Sequence, residues 1–338
     1  MNIRRRHLLL ILRFLLGLCL LAYILATKRG TAAAKLLFSQ IWILPAMVAF
    51  SLFTAMIGSI RLGLLLDSQG VHLSFGKRYR LVSIGSFFNF CLPGGTGGDV
   101  VKLYYLTSEN RGRGIELAMV LLIDRFVALF SLIVLTIGLA LLENHLIMEH
   151  ALIRWLVIGS AVGVGGGMLV VAAMCFNSIR GSRLFRSILR RIPFRHSLER
   201  AFDALYAFRN HKRAVMLAAF VCLLGHLGLA GMFGYTGRIL IPQATGLTTP
   251  VLALFGMLAN ALPVTPGGLG VGEAAFDRLF NIAGFAGGAT LLLTWRAGLL
   301  PLCAIGCLFY VLGVRRPATN RGPRWNTFSV SAERKEIK

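Results

Sequence analysis

Charge is scarce in this chain, and acidic charge is the scarcest. Only 14% of its 338 residues are Asp, Glu, Lys or Arg, and 13 acidic residues stand against 36 basic ones. Charged residues make up about a quarter of an ordinary soluble domain, so a large water-exposed surface is excluded. The signatures of nucleotide and metal chemistry are missing too. There is no G-x-x-x-x-G-K-[S/T] phosphate loop for direct ATP drive, no H-E-x-x-H and no paired Cys/His set. The six cysteines, Cys19, Cys91, Cys175, Cys222, Cys303 and Cys307, all lie inside apolar stretches. They read as small packing residues rather than as a disulfide framework. No cofactor or metal is expected. Asp99, Asp124 and Glu273 have no His or nucleophile placed with them, so a membrane-embedded lipid-phosphate enzyme is the weaker reading and the chain is read as no enzyme.

What the chain has in abundance is hydrocarbon: 56% hydrophobic residues and a mean hydropathy of +0.73. The fold class follows as all-α, a polytopic membrane protein. Apolar windows long enough to span about 30 Å of hydrocarbon cover 7–27, 41–62, 115–142, 151–176, 213–237 and 286–313. Arg4-Arg5-Arg6 ahead of the first window resembles a signal peptide, but the run from Leu8 to Ala26 is too long for one and is read as a retained span. Two further apolar regions, 79–107 and 250–283, are broken at their centres by Pro and Gly. They are read as re-entrant hairpins, with pairs of short tilted crossings as the alternative.

The net charge of +23 does not point to nucleic acid, because the chain offers no soluble domain to bind it. The basic residues cluster beside the spans instead: Arg4 to Arg6, Lys77/Arg78/Arg80, Arg111/Arg113, the stretch from Arg180 to Arg213, and the tail from Arg315. With six crossings and both termini cytoplasmic, all these clusters fall inside, as the positive-inside rule requires. The expected location is the cell inner membrane. Segment 194–210 sets Phe194, Leu198, Phe202, Leu205 and Phe208 on one helical face and reads as an interfacial amphipathic helix. The domain ends at 313, and 314–338 is expected to be a disordered basic tail.

The two breaks repeat one another. Asn89, Leu92-Pro93-Gly94-Gly95 and Gly97-Gly98-Asp99 in the first match Asn260, Leu262-Pro263, Pro266-Gly267-Gly268 and Gly270-Val271-Gly272-Glu273 in the second. Three crossings separate them, so hairpins that each enter and leave on one side must enter from opposite faces. This makes an inverted repeat, about 79–142 and 250–313, whose hairpin tips are expected near the midplane, where such transporters place their substrate. The next spans carry matched arginines: Arg125 lies 32 residues after Pro93, and Arg296 lies 30 after Pro266. An arginine at that depth is costly and needs a partner.

A helix starting after a Gly-rich break offers unpaired N–H groups and the positive end of its dipole, which favour an anion such as a lipid phosphate. The candidate donors are the amides from Gly95 to Gly98 and from Gly268 to Gly272, with Arg125 and Arg296 adding charge. Asp99 and Glu273 stand in the first turns of the following half-helices. They either cap those helices and pair with Lys102, Arg125 or Arg296, or bind a cationic head group or a coupling proton. Asp124 is read as the partner of neighbouring Arg125, and His226 as a hydrogen-bonded packing residue. Gly225, Gly228, Gly231, Gly234 and Gly237, together with Gly159, Gly163 and Gly167, are expected to allow close helix packing.

Asn89-x-x-Leu92-Pro93-Gly94-Gly95, the Asp124-Arg125 pair, and Leu262-Pro263-x-Thr265-Pro266-Gly267-Gly268-x-Gly270-x-x-Glu273 together resemble the lysylphosphatidylglycerol synthase transmembrane region, or flippase-like family. The likeness runs over about 10–313. It implies movement of a lipid between leaflets, with a phospholipid, an aminoacylated lipid or an isoprenoid- or hopanoid-type lipid as cargo and a lipid-biosynthesis enzyme as a possible partner. Some 25 residues follow the last span, too few for the soluble aminoacyltransferase of fused members, so lipid aminoacylation is not expected. A membrane scaffold that binds lipid or a synthase without moving anything is the alternative.

Overall fold

The computed structural model describes residues 42–91, 97–175, 208–261 and 270–314, together with Tyr206 and Gly268. The expected span at 7–27, most of segment 194–210, Pro93-Gly94-Gly95, Pro266-Gly267 and the tail lie outside the described residues. Those that are described form ten α-helices and no strand: α1 (Ile43–Asp67), α2 (Phe75–Cys91), α3 (Gly97–Glu109), α4 (Gly114–Leu142), α5 (Asn144–Glu149), α6 (Ala151–Cys175), α7 (Lys212–Leu240), α8 (Thr248–Asn260), α9 (Val271–Ile282) and α10 (Gly288–Val314). The chain is an all-α, multi-pass membrane protein.

Helix lengths follow from where the breakers fall. Helices α1, α4, α7 and α10 have 25, 29, 29 and 27 residues, or about 37–44 Å at 1.5 Å per residue. All four are apolar and long enough to cross a membrane. Helix α6, with 25 residues, is helical over the expected fourth window. The broken regions give only short pieces, of 17, 13, 13 and 12 residues for α2, α3, α8 and α9. Helix α2 stops at Cys91 and α8 at Asn260 because a Leu-Pro pair follows each. Proline pushes the residue before it out of the helical region and brings no N–H of its own.

Packing repeats as the sequence does. Helix α2 pairs with α3 and α8 with α9; α3 pairs with α4 and α9 with α10; α1 pairs with α2 and α7 with α8. Across the halves, α2 lies against α10 and α8 against α4, α1 against α10 and α7 against α4, and α1 against α7. Exchanging α1–α4 for α7–α10 returns the same set of pairings. The connectors α1–α2 and α7–α8 are both seven residues long. The repeating unit is therefore larger than the motif-based 79–142 and 250–313, since each copy begins one helix earlier.

Two apolar cores stack along the long helices. One gathers Leu62, Leu65 and Leu66 of α1, Ile84 and Phe88 of α2, Tyr105 and Leu106 of α3, Leu117 and Val120 of α4, and Ala218 and Cys222 of α7 around the first hairpin. The other gathers Ile43 and Met47 of α1, Leu132 and Ala140 of α4, Phe233 of α7, Val251 to Phe255 of α8, Phe276 and Phe280 of α9, and Leu291 and Trp295 of α10 around the second. Helix α1 runs from the second core to the first, and its counterpart α7 runs from the first to the second. Phe208, on the expected apolar face of segment 194–210, is buried in the first core.

Some glycines do what their spacing suggests. A Cβ on Gly225 or Gly228 would press on Ile57 or Phe50 of α1, and one on Gly237 would strike Thr249 of α8. Others do not. Gly159, Gly163 and Gly167 meet no described atom within 4 Å, as does Gly231. Among the described residues helix α6 packs chiefly along α4 and α5.

Candidate functional site

Each hairpin holds the same small device. At the start of α3, Asn89 Oδ1 accepts a hydrogen bond from the Gly98 N–H at 2.8 Å. Gly98 has to be glycine, because a Cβ there would run into the Gly85 carbonyl and the Asn89 side chain. At the start of α9, Asn260 Oδ1 lies against Gly272, where a Cβ would meet both Asn260 and Arg296. In each hairpin an asparagine from the incoming helix thus lies against the first turn of the outgoing one, and the carboxylate comes next: Asp99 in one copy, Glu273 in the other.

Both carboxylates are engaged by the protein. Asp99 Oδ1 lies 3.0 Å from Lys102 Nζ, and its Oδ2 accepts from Arg125 Nε. Lys102 is buried, and its stem runs across Gly85, which leaves the room. Glu273 Oε2 accepts the Gly270 N–H at 2.7 Å and caps α9 backwards; this turn places Gly270 at φ 81°, a conformation suited to glycine. Glu273 Oε1 lies 3.3 Å from Arg296 Nε. Arg296 Nη2 also donates to Asn260 Oδ1 at 2.9 Å and to the Gly268 carbonyl at 3.0 Å. The matched arginines read from the sequence are therefore matched partners of the carboxylates. Two of the amides expected to face an anion, those of Gly98 and Gly270, are already taken by Asn89 and Glu273.

The halves differ in what they leave accessible. The Arg296 side chain is 8% exposed and ringed by protein acceptors, whereas the Arg125 side chain is 35% exposed. Asp99, Lys102 and Arg125 sum to one surplus positive charge; Glu273 and Arg296 cancel. Of the other expected site residues, Asn89, Gly97, Asn260, Gly268 and Gly270 are placed at these two helix starts. Pro93, Gly94, Gly95, Pro266 and Gly267 lie outside the described residues.

Asp124 requires a correction. It does not pair with Arg125, because neighbouring side chains on a helix project about 100° apart. Its partner is Arg61 of α1, whose Nε and Nη2 reach the two carboxylate oxygens at 2.5 and 2.8 Å. Arg61 Nη1 lies 3.0 Å from Cys222 Sγ on α7, which is 3.8 Å from His226 Nδ1. His226 thus has Cys222 as a polar neighbour. Arg61 is missed by the sequence reading, where it passes as the end of a span. The available signal was a single cation within window 41–62.

The family model for the lysylphosphatidylglycerol synthase TM region matches residues 10–319. The chain belongs to this family. The match takes in both broken hairpins and all the long helices, so it covers every residue of the two devices. It supports a membrane protein with a lipid-related function. No curated protein and no solved structure matches the chain.

Proposed function

We propose that this protein moves a lipid with an anionic, phosphate-bearing head group between the leaflets of the membrane. The observation that carries the reading is the first half-site: a surplus positive charge at the start of α3, with Arg125 accessible, inside an otherwise apolar protein. A cation at a helix N-terminus in low dielectric favours an anion. Soluble anions do not reach such a place, but lipid head groups at the end of a broken helix do. Arg296 serves the second hairpin as a brace, since its Nη2 donates to Asn260 and the Gly268 carbonyl and its Nε lies 3.3 Å from Glu273.

In this reading the short helices are re-entrant, and the halves are related by a two-fold axis in the membrane plane. The opposite directions of α1 and α7 through the two cores support this. The first hairpin opens to the cytoplasm, beside Lys77, Arg78, Arg111 and Arg113, and the second opens to the other side. Alternate exposure of the two ends then carries the head group across. No covalent chemistry is involved, and the partner is the lipid itself.

The test is lipid movement in proteoliposomes containing fluorescent phosphatidylglycerol or phosphatidylcholine. The reading expects protein-dependent transfer that favours phosphatidylglycerol. Equal, protein-independent rates for both lipids would leave a non-transporting lipid-binding scaffold as the better account.

A further inference from the structure

The Arg61–Asp124 pair lies outside both hairpins, and neither device uses it. We propose that Arg61 is a positioning residue for the first half-site: through Asp124 it fixes the rotation of α4 that turns Arg125 toward Asp99. The inference rests on the reading above only in taking Arg125 as the lipid contact.

Asp124 and Arg125 are adjacent on α4 and look onto different helices, α1 and α3. Fixing the direction of one fixes the other. The grip on Asp124 suits that purpose. A guanidinium that meets both carboxylate oxygens as a planar fork, here at 2.5 and 2.8 Å, resists twisting as a single contact would not. The third nitrogen of the same guanidinium reaches Cys222, so Arg61 ties α1 and α4 to α7 of the other repeat.

The second repeat meets the same register in another way. Matching Arg125 to Arg296 places Trp295 where Asp124 stands. Counting back from the equal connectors places Gly234, next to Phe233, where Arg61 stands. Trp295 rests on Phe233 with ring centroids 5.8 Å apart, so rings hold the interface that the ion pair holds in the first repeat. An apolar solution is therefore available at this register, and a buried ion pair has no general advantage in stability over one. Arg296 is already aimed by Asn260, Gly268 and Glu273. In the first repeat Asn89 Oδ1 accepts from Gly98, and Arg125 keeps a third of its side chain exposed. The accessible arginine is the one aimed from its neighbour on the helix.

The experiment is a double-mutant cycle read by native mass spectrometry of the detergent-solubilised protein, scoring retention of phosphatidylglycerol over phosphatidylcholine in wild type, Arg61→Gln, Arg125→Gln and the double variant. Arg61→Gln is expected to lower the preference roughly tenfold, the scale of one lost charged hydrogen bond, and to lower it no further when Arg125 is already Gln. A wild-type preference in Arg61→Gln would overturn the proposal, as would a loss that adds in full to that of Arg125→Gln. Where Arg61→Gln does not fold, Arg61→Lys replaces it. It keeps the charge without the fork, and the expectation is a reduced preference at a Tm near wild type. A wild-type protein with no preference would refute Arg125 as the lipid contact and this proposal with it. One that retains phosphatidylglycerol but moves no lipid would refute transport alone.

Discussion

Glycine beside a carboxylate, faced by an asparagine, is the local unit on which the account depends. Gly98 and Gly272 are the positions where a methyl group has nowhere to go. Gly98→Ala and Gly272→Ala should each destabilise the protein by about 1–3 kcal/mol, the usual range for overpacking, read as a lower Tm in detergent. The two arginines should part company in the same assay. Arg296→Ala strands the poorly exposed Glu273 carboxylate and should cost about 3–5 kcal/mol, while Arg125→Ala removes a half-exposed group and should cost well under that. Equal losses would remove the distinction between brace and contact. At this scale the sequence is informative where partners are set by a motif: Asp99, Lys102 and Arg125, and Glu273 and Arg296, are all placed by spacing. Arg61 is not, because its partner is 63 residues away and follows from helix packing alone.

The short helices are legible because Leu-Pro pairs and glycine clusters interrupt the chain there, and α2, α3, α8 and α9 stop close to where these breakers stand, whereas the lone Pro301 is carried inside α10. The glycine stripes are only half legible. A row of glycines permits close approach but does not supply the neighbour, so Gly225 and Gly237 are packed while Gly159 and Gly163 meet none of the described residues. The opposite entry of the hairpins is a prediction at this scale. Single cysteines at Arg111, in the α3–α4 turn, and at Asn281, near the end of α9, are both exposed positions and should react with a membrane-impermeant maleimide from opposite sides. Reaction of both from one side would end the inverted arrangement and the alternating access built on it.

Across the whole molecule the exchange-symmetric pairing of α1–α4 with α7–α10 ties the two devices into one frame. The count of crossings between the breaks is what leads the sequence to an expectation of opposite orientation. The full extent of the repeat escapes it, because α1 and α7 share no motif and are recognised as counterparts only by what they touch. The pseudo-symmetry is broken where function is proposed, with a surplus positive charge in one half and an enclosed, charge-balanced arginine–glutamate pair in the other. Transport of an anionic lipid should therefore depend far more on Arg125 than on the general apolar path. The most direct measurement is the initial rate of fluorescent phosphatidylglycerol transfer in proteoliposomes for wild type and Arg125→Ala at matched protein density. The account predicts a loss of tenfold or more, on the order of one or two charged hydrogen bonds, with phosphatidylcholine transfer little changed. An Arg125→Ala rate equal to wild type would contradict it.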